Sequence, residues 1–303
     1  MYFIGVTTRQ SSINRVFPLW AERLGLGDCE LRGWDFPLRD DPRRYRAALA
    51  AIKADPGSLG ALVTSHKIDI GAACRDLFEE FDPLTAALGE VGSIYKRNGC
   101  LHGRAVDPWT SGCALAEILP DGFRWEDRAA LILGAGGAGT ALAWHLARGG
   151  DALNRPARVL VVDRVAARLA HLRALHATWA GAVPLACHEA VSVEVADRLV
   201  GNLPPGSLVV NATGVGKDTP GSPLSGAAIF PHEGQIWEFN YRGDLRFLDQ
   251  ARAQQKERGL RIADGWGYFL HGWTRVIADV FNCDIPPKGE LFAELGKIAA
   301  GLR

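Results

Sequence analysis

The chain has 303 residues, 48% of them hydrophobic and 22% charged, which is enough apolar material to build two folded domains. Its 34 basic residues balance its 34 acidic residues, so the basic excess typical of nucleic-acid-binding proteins is missing. No apolar stretch approaches the ~20 residues that a membrane-spanning helix needs, so no membrane partner is predicted.

The first third of the chain alternates short apolar runs with helical periodicity, which predicts a mostly parallel β-sheet. Strands are predicted at residues 2–6, 29–34 and 60–64, and helices at residues 13–24, 42–53 and after residue 66. A hairpin follows, because Asn98-Gly99 is typical of a tight turn between strands at residues 93–96 and 100–103.

A second series of strands and helices begins at residue 129, and the end of the chain from residue 244 is mostly helical in pattern. The strands of this series are predicted at residues 129–133, 158–162, 183–186, 207–210 and 235–238. Residues 151–158 contain Asn154 and Pro156 and are predicted to form an exposed loop. Two α/β units result, and periodicity alone does not assign the final helices to either.

The strongest local motif is the run Gly134-Ala135-Gly136-Gly137-Ala138-Gly139, between a predicted strand and a predicted helix. Gly134 permits a tight turn, Gly136 lets the backbone approach a pyrophosphate, and Gly139 lets the helix pack closely on the strand. The start of the helix then offers free N–H groups and a partial positive charge to the phosphates. The run predicts a dinucleotide site, although a flavin or an adenylate is also compatible with it.

Asp163 ends the next predicted strand, 24 residues beyond Gly139, near the position of a ribose-binding acid. Its carboxylate would accept hydrogen bonds from a ribose 2′-hydroxyl and repel a 2′-phosphate. Arg164 has the opposite effect, because its guanidinium can pair with that phosphate. We therefore expect NAD as cofactor, with NADP as the alternative.

These motifs resemble those of the shikimate dehydrogenase family, which includes quinate/shikimate dehydrogenases, and the chain looks like a divergent member. The resemblance covers nearly the whole chain in the same order. The matching segments are residues 5–11, residues 63–67 (VTSHK), residues 92–94, residues 103–107, the glycine run, residues 211–214, Tyr241 and Asp264-Gly265. The segment VTSHK is one residue shorter than the family motif.

By this resemblance Lys67 and Asp107 are the catalytic pair. The resemblance places the following residues at the substrate: Ser11, Ser12, Thr64 and Tyr241. It places the following residues at the cofactor: Ala212, Thr213, Gly214 and Gly265, beside Gly134, Ala135, Gly136, Gly137, Ala138, Asp163 and Arg164. Ser12 is included because the family's second serine falls at Ile13 unless the loop shifts.

The resemblance also implies the domain organisation. Residues 1–110 would form a substrate-binding, catalytic α/β domain with an open sheet, and residues 111–243 a Rossmann-type domain that binds NAD(P). Residues 244–303 would be C-terminal helices that return to the first domain.

The chemistry of the pair fits the oxidation of a secondary alcohol. Such a reaction sends a hydride to the nicotinamide and a proton to a base, and a lysine accepts that proton if its pKa approaches the working pH. Burial lowers the pKa of a lysine, and a neighbouring aspartate raises it. Asp107 can also hold the hydroxyl and orient Lys67.

Several positions depart from the family pattern in residues that contact the substrate. The departures are Ile13 for a serine, Tyr95 for the hairpin asparagine, Ala105-Val106 for asparagine-threonine and Gly272 for a late glutamine, with Trp109, Trp266 and Trp273 nearby. A site built to hydrogen-bond a polyol discriminates strongly, because unmatched polar groups are costly. We therefore predict that the substrate is a small cyclic hydroxy acid or polyol other than shikimate that is less hydroxylated, bulkier or stacked on aromatic rings.

Two other functions remain open from the sequence. One is a methylenetetrahydrofolate dehydrogenase, which also has a lysine in an α/β domain that precedes a dinucleotide domain. The other is a non-catalytic nucleotide-binding sensor, which would tolerate the changes at the substrate-contact positions. The six cysteines show no zinc-like or redox spacing, the histidines are dispersed, and the first residues lack a signal-peptide pattern. These features predict a cytoplasmic protein without a metal. We expect a monomer or a homodimer.

Overall fold

The computed structural model describes residues 1–217 and 219–303. Its strands are β1 (Tyr2–Gly5), β2 (Arg32–Asp35), β3 (Gly60–Val63), β4 (Phe78–Phe81), β5 (Ser93–Arg97), β6 (Cys100–Arg104), β7 (Ala129–Leu133), β8 (Arg158–Asp163), β9 (Leu185–Glu189), β10 (Leu208–Asn211), β11 (Gln235–Glu238) and β12 (Arg261–Ala263). Its α-helices are α1 (Ile13–Leu24), α2 (Pro42–Ala54), α3 (Lys67–Ala73), α4 (Pro83–Leu88), α5 (Asp107–Ile118), α6 (Gly137–Trp144), α7 (Ala166–His176), α8 (Val193–Gly201), α9 (Arg246–Arg258), α10 (Trp266–Phe281) and α11 (Glu290–Ala300).

The described residues divide into two units. The first unit comprises Met1–Val106 and Leu270–Arg303, and the second comprises Asp107–Phe269. The sequence analysis placed the boundary after residue 110 and assigned residues 244–303 to the first domain. In the structure residues 244–269 belong to the second unit, because β12 pairs in parallel with β11 and so extends the second sheet.

The sheet of the first unit has the order β2-β1-β3-β5-β6-β4. Strands β1, β2 and β3 are parallel, and β5 runs antiparallel to both β3 and β6. The predicted hairpin is confirmed, because β5 and β6 pair around Asn98 and Gly99, whose φ values are 51° and 79°. Strand β4 pairs in parallel with β6 and was not predicted, because its sequence FEEF has no alternating pattern.

Helix starts in the first unit follow ordinary capping chemistry. Asp41 precedes Pro42 and its side chain accepts the N–H of Arg43, and Asp82 precedes Pro83 and accepts the N–H of Thr85. Apolar side chains of α2, α3, β1, β3 and β5 form one buried core around Ile4, Leu49, Val63, Ile70 and Ile94. Helix α11 packs on α1, where the indole N–H of buried Trp20 donates to the carbonyl of Leu295.

The sheet of the second unit has the order β12-β11-β10-β7-β8-β9, and all its pairings are parallel. Chain order reverses at β7 and β10, which is the arrangement of a doubly wound dinucleotide-binding fold. The α/β architecture expected from the sequence is therefore confirmed. Helix α6 continues into a π-helical turn at His145–Gly149, and the exposed residues 151–153 follow it. Asn154 and Arg155 are half-buried and Pro156 is buried, so the loop predicted at residues 151–158 is exposed only in part. No helix in residues 1–217 and 219–303 is long and apolar enough to cross a membrane.

Candidate active site

The residues assigned to the substrate in the first unit lie at one edge of its sheet. Strands β1 and β3 are parallel neighbours, so the segments that follow Gly5 and Val63 leave the sheet on the same side. Strand β5 begins and β6 ends on that side too, because Ser93 pairs with Leu62 and with Arg104. The loop with Ser11, the loop with Lys67 and the approach to Asp107 therefore share this carboxyl edge.

The first of these loops is held by hydrogen bonds to its backbone. The side-chain amide of Asn14 donates to the carbonyls of Thr8, Arg9 and Ser11, and the N–H of Thr8 donates to Asp35. Ser11 and Ser12 are partly exposed at the start of α1. Ile13, at the position of the family's second serine, has no hydroxyl and is fully buried in the core. The hydroxyl next to Ser11 in the chain is therefore that of Ser12.

The loop from Thr64 to Lys67 follows β3 and leads directly into α3. The hydroxyl of Thr64 lies 3.3 Å from the carbonyl oxygen of Ile4, and a side chain at Gly5 would clash with that hydroxyl. Ser65 has a φ of 42°, a left-handed conformation that is uncommon for a residue with a side chain. This conformation makes the turn from β3 into α3 in few residues.

His66, immediately before Lys67, is fully buried and holds two hydrogen bonds. Its Nε2 lies 3.1 Å from the carbonyl oxygen of Phe36, and its Nδ1 lies 3.0 Å from the hydroxyl of Tyr45. Because a carbonyl only accepts, Nε2 carries the proton and Nδ1 accepts from Tyr45. The Tyr45 hydroxyl in turn accepts the N–H of Asp40 at 3.2 Å. The tautomer and orientation of His66 are therefore fixed.

The two predicted catalytic residues lie at the ends of these segments. Lys67 is half-buried and is the first residue of α3, and its carbonyl accepts the N–H of Val91. A Cβ at Gly92 would clash with Cγ2 of Val106 at 2.8 Å, and it would lie at ordinary contact distance, 3.6 Å, from Cε of Lys67. Asp107 is buried and is the first residue of α5 and of the second unit.

The altered hairpin position carries an aromatic cluster. The Tyr95 ring stacks on the His102 ring with centroids 5.3 Å apart, and the guanidinium of Arg97 lies 4.9 Å from the centre of the Tyr95 ring. The guanidinium of Arg104 lies 5.6 Å from the same centre and also pairs with buried Asp279. Charged groups therefore surround a half-buried ring where the family has an amide.

The residues assigned to the cofactor lie at the carboxyl edge of the second sheet. The glycine run follows β7, Asp163 ends β8, the segment Ala212-Thr213-Gly214 follows β10, Tyr241 follows β11, and Gly265 follows β12. Because these strands are parallel, their carboxyl ends meet at one edge. This edge is where doubly wound sheets bind nucleotides.

The glycine loop is close-packed and could not accept side chains at two positions. Gly134 has a φ of 109°, and a side chain there would lie 2.7 Å from the carbonyl oxygen of Ala212. A side chain at Gly139 would lie 2.0 Å from the carbonyl oxygen of Gly134. Gly136 faces open space and α6 begins without a side-chain cap. The loop therefore fits a pyrophosphate against the start of α6.

Asp163 and its neighbours show how the ribose end of the site is built. The Asp163 carboxylate accepts the N–H of Ala135 at 2.7 Å and that of Val165 at 2.8 Å, so it ties the glycine loop to β8. Nη1 of Arg168 lies 3.6 Å from Oδ2 of this carboxylate, and Arg164 is exposed beside it. The backbone N–H of Ala135 therefore already donates a hydrogen bond to Asp163.

The loop after β10 rests on a buried polar network that the sequence analysis missed. Asn211 accepts the N–H and the hydroxyl of Thr213, and its amide donates to Glu238 at 2.5 Å. Glu238 is fully buried and also accepts the backbone N–H and the side-chain amide of Asn240. The sequence signal for this network was that Glu238, a charged residue, ends the buried strand β11, since the carboxyl ends of parallel strands meet at the site.

Aromatic side chains follow β11 and begin α10. The rings of Trp266 and Phe269 stack with centroids 4.9 Å apart, and Tyr241 lies 5.5 Å from Trp266 and 4.7 Å from Phe269. Trp273 is instead a buried core residue of the first unit, where it packs edge-on against Phe3. Trp266 and Trp109 are both half-buried: Trp266 lies beside Tyr241, and Trp109 lies two residues after Asp107 at the start of α5.

Gly265 and its surroundings complete the second edge. A side chain at Gly265 would lie 2.0 Å from the carbonyl oxygen of Phe239, and the N–H of Gly265 donates to the carbonyl of Asn240. A cavity of about 360 Å³ within the second unit is lined by parts of α5, β12 and α10, including Glu117, Asp264 and Tyr268. Across residues 1–217 and 219–303, no group of three metal-ligating side chains is arranged to hold a metal ion.

Comparison with known proteins gives the family. A scan against models of protein families finds no match. The shikimate dehydrogenase (NADP(+)) of Symbiobacterium thermophilum is 32% identical over 238 residues, which cover 76% of this chain and 72% of that protein.

Solved structures share the fold. The quinate dehydrogenase of Corynebacterium glutamicum in complex with NAD aligns over 99% of this chain and 98% of its own, with a TM-score of 0.73 and 19% identity. The ligand-free 5-ketofructose reductase of Gluconobacter sp. strain CHM43 aligns over 100% of this chain and 98% of its own, with a TM-score of 0.69 and 18% identity. By its sequence identity to the S. thermophilum enzyme, and with the motifs at two sheet edges, the chain belongs to the shikimate dehydrogenase family.

Proposed function

We propose that the protein transfers a hydride between NAD or NADP and the carbon of a secondary hydroxyl on a small cyclic hydroxy acid or polyol other than shikimate. The broader class follows from the family, whose members are NAD(P)-dependent dehydrogenases that act on CH–OH groups. The observation that carries the proposal is the position of Lys67 at the start of α3, at the end of the loop that follows β3 and at the same sheet edge as Ser11 and Thr64.

The proposed roles follow the family resemblance residue by residue. The nicotinamide, when bound, accepts or returns the hydride. Neutral Lys67 takes the hydroxyl proton as the ketone forms, and the ammonium returns it in the reverse direction. Asp107 accepts a hydrogen bond from the amine of Lys67 and so orients the lysine towards the substrate hydroxyl. Ser11, Ser12, Thr64 and Tyr241 hold the remaining polar groups of the substrate.

The substrate preference rests on the side chains that replace the family's polar ones. Ala105 and Val106 are buried apolar residues before Asp107, and Ile13 is part of the core. Tyr95 is packed by His102 and two arginines rather than presenting an amide. Fewer groups remain to pair with hydroxyls, and each unpaired hydroxyl buried with the substrate costs roughly 1–3 kcal/mol. Trp266 supplies flat apolar surface to a less hydroxylated ring.

The cofactor assignment allows both nicotinamide dinucleotides. The Asp163 carboxylate favours an unphosphorylated ribose, although its oxygens already accept two backbone N–H groups. The guanidinium groups of Arg164 and Arg168 are exposed beside it and offer partners to a 2′-phosphate. We expect binding of NAD and, with the help of these arginines, of NADP.

The test is the absorbance of the reduced nicotinamide, with NAD and NADP separately, against shikimate, quinate and related cyclic hydroxy acids and polyols. Lys67→Ala should lower kcat by at least about 100-fold. Lys297→Ala, which changes an exposed lysine on α11, should match the parent protein. Efficient turnover of micromolar shikimate would refute the proposed substrate preference, and full activity of Lys67→Ala would refute the proposed base.

Two further results would replace the proposal. Tight binding of a nicotinamide dinucleotide without turnover of any alcohol or ketone would identify a nucleotide-binding sensor. Turnover of a methylenetetrahydrofolate alone would identify a folate enzyme.

A further inference from the structure

We propose that Glu238 is a positioning residue for cofactor binding, because its buried carboxylate holds the loop Ala212-Thr213-Gly214 through the side chains of Asn211 and Asn240. The inference rests on the proposed function, which assigns this loop to the nicotinamide dinucleotide. It adds a residue that the family resemblance did not indicate.

The hydrogen bonds of the network fix the orientation of both amides. Oδ1 of Asn211 accepts the N–H of Thr213 at 3.1 Å and its hydroxyl at 2.6 Å, so the Nδ2 group faces Glu238. The Nδ2 groups of Asn211 and Asn240 both also donate to the carbonyl of Val215, at 3.2 Å each. Neither side-chain amide can flip, exchanging its oxygen and nitrogen, without losing these hydrogen bonds.

Glu238 is the acceptor that both amides require. Its Oε2 accepts Nδ2 of Asn211 at 2.5 Å, and its Oε1 accepts the backbone N–H and Nδ2 of Asn240 at 2.8 and 2.7 Å. Three donors therefore face one carboxylate, and the arrangement needs a group that only accepts. A glutamine would place an N–H against one of these donors.

Burying the Glu238 carboxylate costs free energy, so this arrangement adds little to the stability of the fold. Burial raises the pKa of Glu238 to about 7, while the hydrogen bonds from Asn240 and Asn211 and the charge of Lys217 favour the ionised form. A buried carboxylate is a weak source of stability, because its desolvation offsets much of what its partners return. A role in holding the site explains why an acid occupies this position.

The network lies beneath surfaces that face the ligand. Thr213 is exposed, and Ala212 and Gly214 are partly exposed, above fully buried Asn211 and Glu238. The backbone of Ala212 and Thr213 packs against Gly134 of the glycine loop. A displacement of the loop Ala212-Thr213-Gly214 would therefore also displace the glycine loop, and both loops belong to the proposed dinucleotide site.

The test measures the Kd of NAD and NADP by calorimetric titration, together with KM, kcat and the unfolding temperature. Glu238→Gln should raise the cofactor Kd and KM at least about tenfold and change kcat at saturating cofactor much less. Glu257→Gln, the matched change at an exposed position of α9, should leave all of these constants unchanged.

An exchange variant separates positioning from general destabilisation. Asn211→Asp alone should bind cofactor more weakly still, because two carboxylates would then face each other. Combining it with Glu238→Gln restores a donor and an acceptor across the pair, and cofactor affinity should recover most of the loss. An acceptor remains for Thr213, and Asn240 still donates to Val215.

The outcomes distinguish this inference from the proposed function. An unchanged cofactor Kd in Glu238→Gln, with only a lower unfolding temperature, would overturn the inference and leave the proposed function standing. Failure of the double variant to bind better than either single variant would also overturn it. If the unaltered protein bound neither cofactor, the proposed function would be wrong as well.

Discussion

Replacing Tyr45 with Phe removes one hydroxyl from the buried chain that fixes His66 beside Lys67. The phenol of Tyr45 donates to Nδ1 of His66 at 3.0 Å and accepts the N–H of Asp40 at 3.2 Å. Tyr45 is 1% exposed and His66 is 0% exposed, so water cannot replace the lost partner without a rearrangement. The variant leaves Nδ1 as a buried acceptor without a donor.

The expected size of the effect follows from this burial. Leaving one buried polar group unsatisfied costs about 1–3 kcal/mol, so the free energy of unfolding should fall by about 2 kcal/mol. With an unfolding entropy of about 2.1 cal/mol/K per residue, the unfolding temperature of this 303-residue protein should drop by roughly 3 °C. Because His66 precedes Lys67, kcat should fall while the KM for the cofactor stays constant. Urea unfolding and steady-state kinetics measure the two effects.

Tyr2→Phe is the matched control. The hydroxyl of Tyr2 lies 3.4 Å from Oδ2 of Asp55 in a partly exposed position, so its removal should change stability by less than about 0.5 kcal/mol. If Tyr45→Phe lost no more stability than Tyr2→Phe, His66 would not depend on the hydroxyl and the reasoning would be refuted.

Three further changes test other parts of the structure. Gly139→Ala places Cβ 2.0 Å from the carbonyl oxygen of Gly134, so the Kd of NAD should rise at least about tenfold in calorimetry, and an unchanged Kd would contradict the close packing. Burial lowers the pKa of His145, so its contribution to stability is present above pH ~6.5 and is lost as the pH falls through its folded-state pKa. His145→Leu should flatten the fall in urea stability between pH 7 and pH 5, and an equally steep fall would count against that origin. The double change Arg164→Ala and Arg168→Ala should weaken NADP binding roughly five- to tenfold and leave NAD binding unchanged, and equal losses for both cofactors would show that these side chains do not recognise the 2′-phosphate.

Much of the fold follows from the sequence because its strands are short, apolar and separated by clear turn signals. Strands β1, β3 and β7 and the hairpin lie where apolar runs and Asn98-Gly99 predict them. Parallel pairing then places the motif residues at the carboxyl edges, so the assignment of a dinucleotide fold needed little beyond the order of the elements.

The features that sequence patterns missed depend on contacts between distant segments. Strand β4 carries Glu79 and Glu80 between two phenylalanines and is a strand because β6 pairs with it. The unit boundary falls inside α10, where helical periodicity continues without interruption. Glu238 resembles an ordinary charge at the end of a strand, and only the positions of Asn211 and Asn240 show it to be the centre of a network.

The exposed segment before β8 bears on how the protein can be attached to a surface. Leu153 is 93% exposed, and the six residues of β8 separate the amino end of that strand from the carboxyl edge by about 20 Å. A biotin-acceptor peptide inserted at residue 153 would therefore tether the molecule from the side opposite the glycine loop. Thiol coupling is less suitable, since the chain has six free cysteines and five of them are partly accessible. A sensor surface prepared through this segment would leave the nucleotide edge open to the solution.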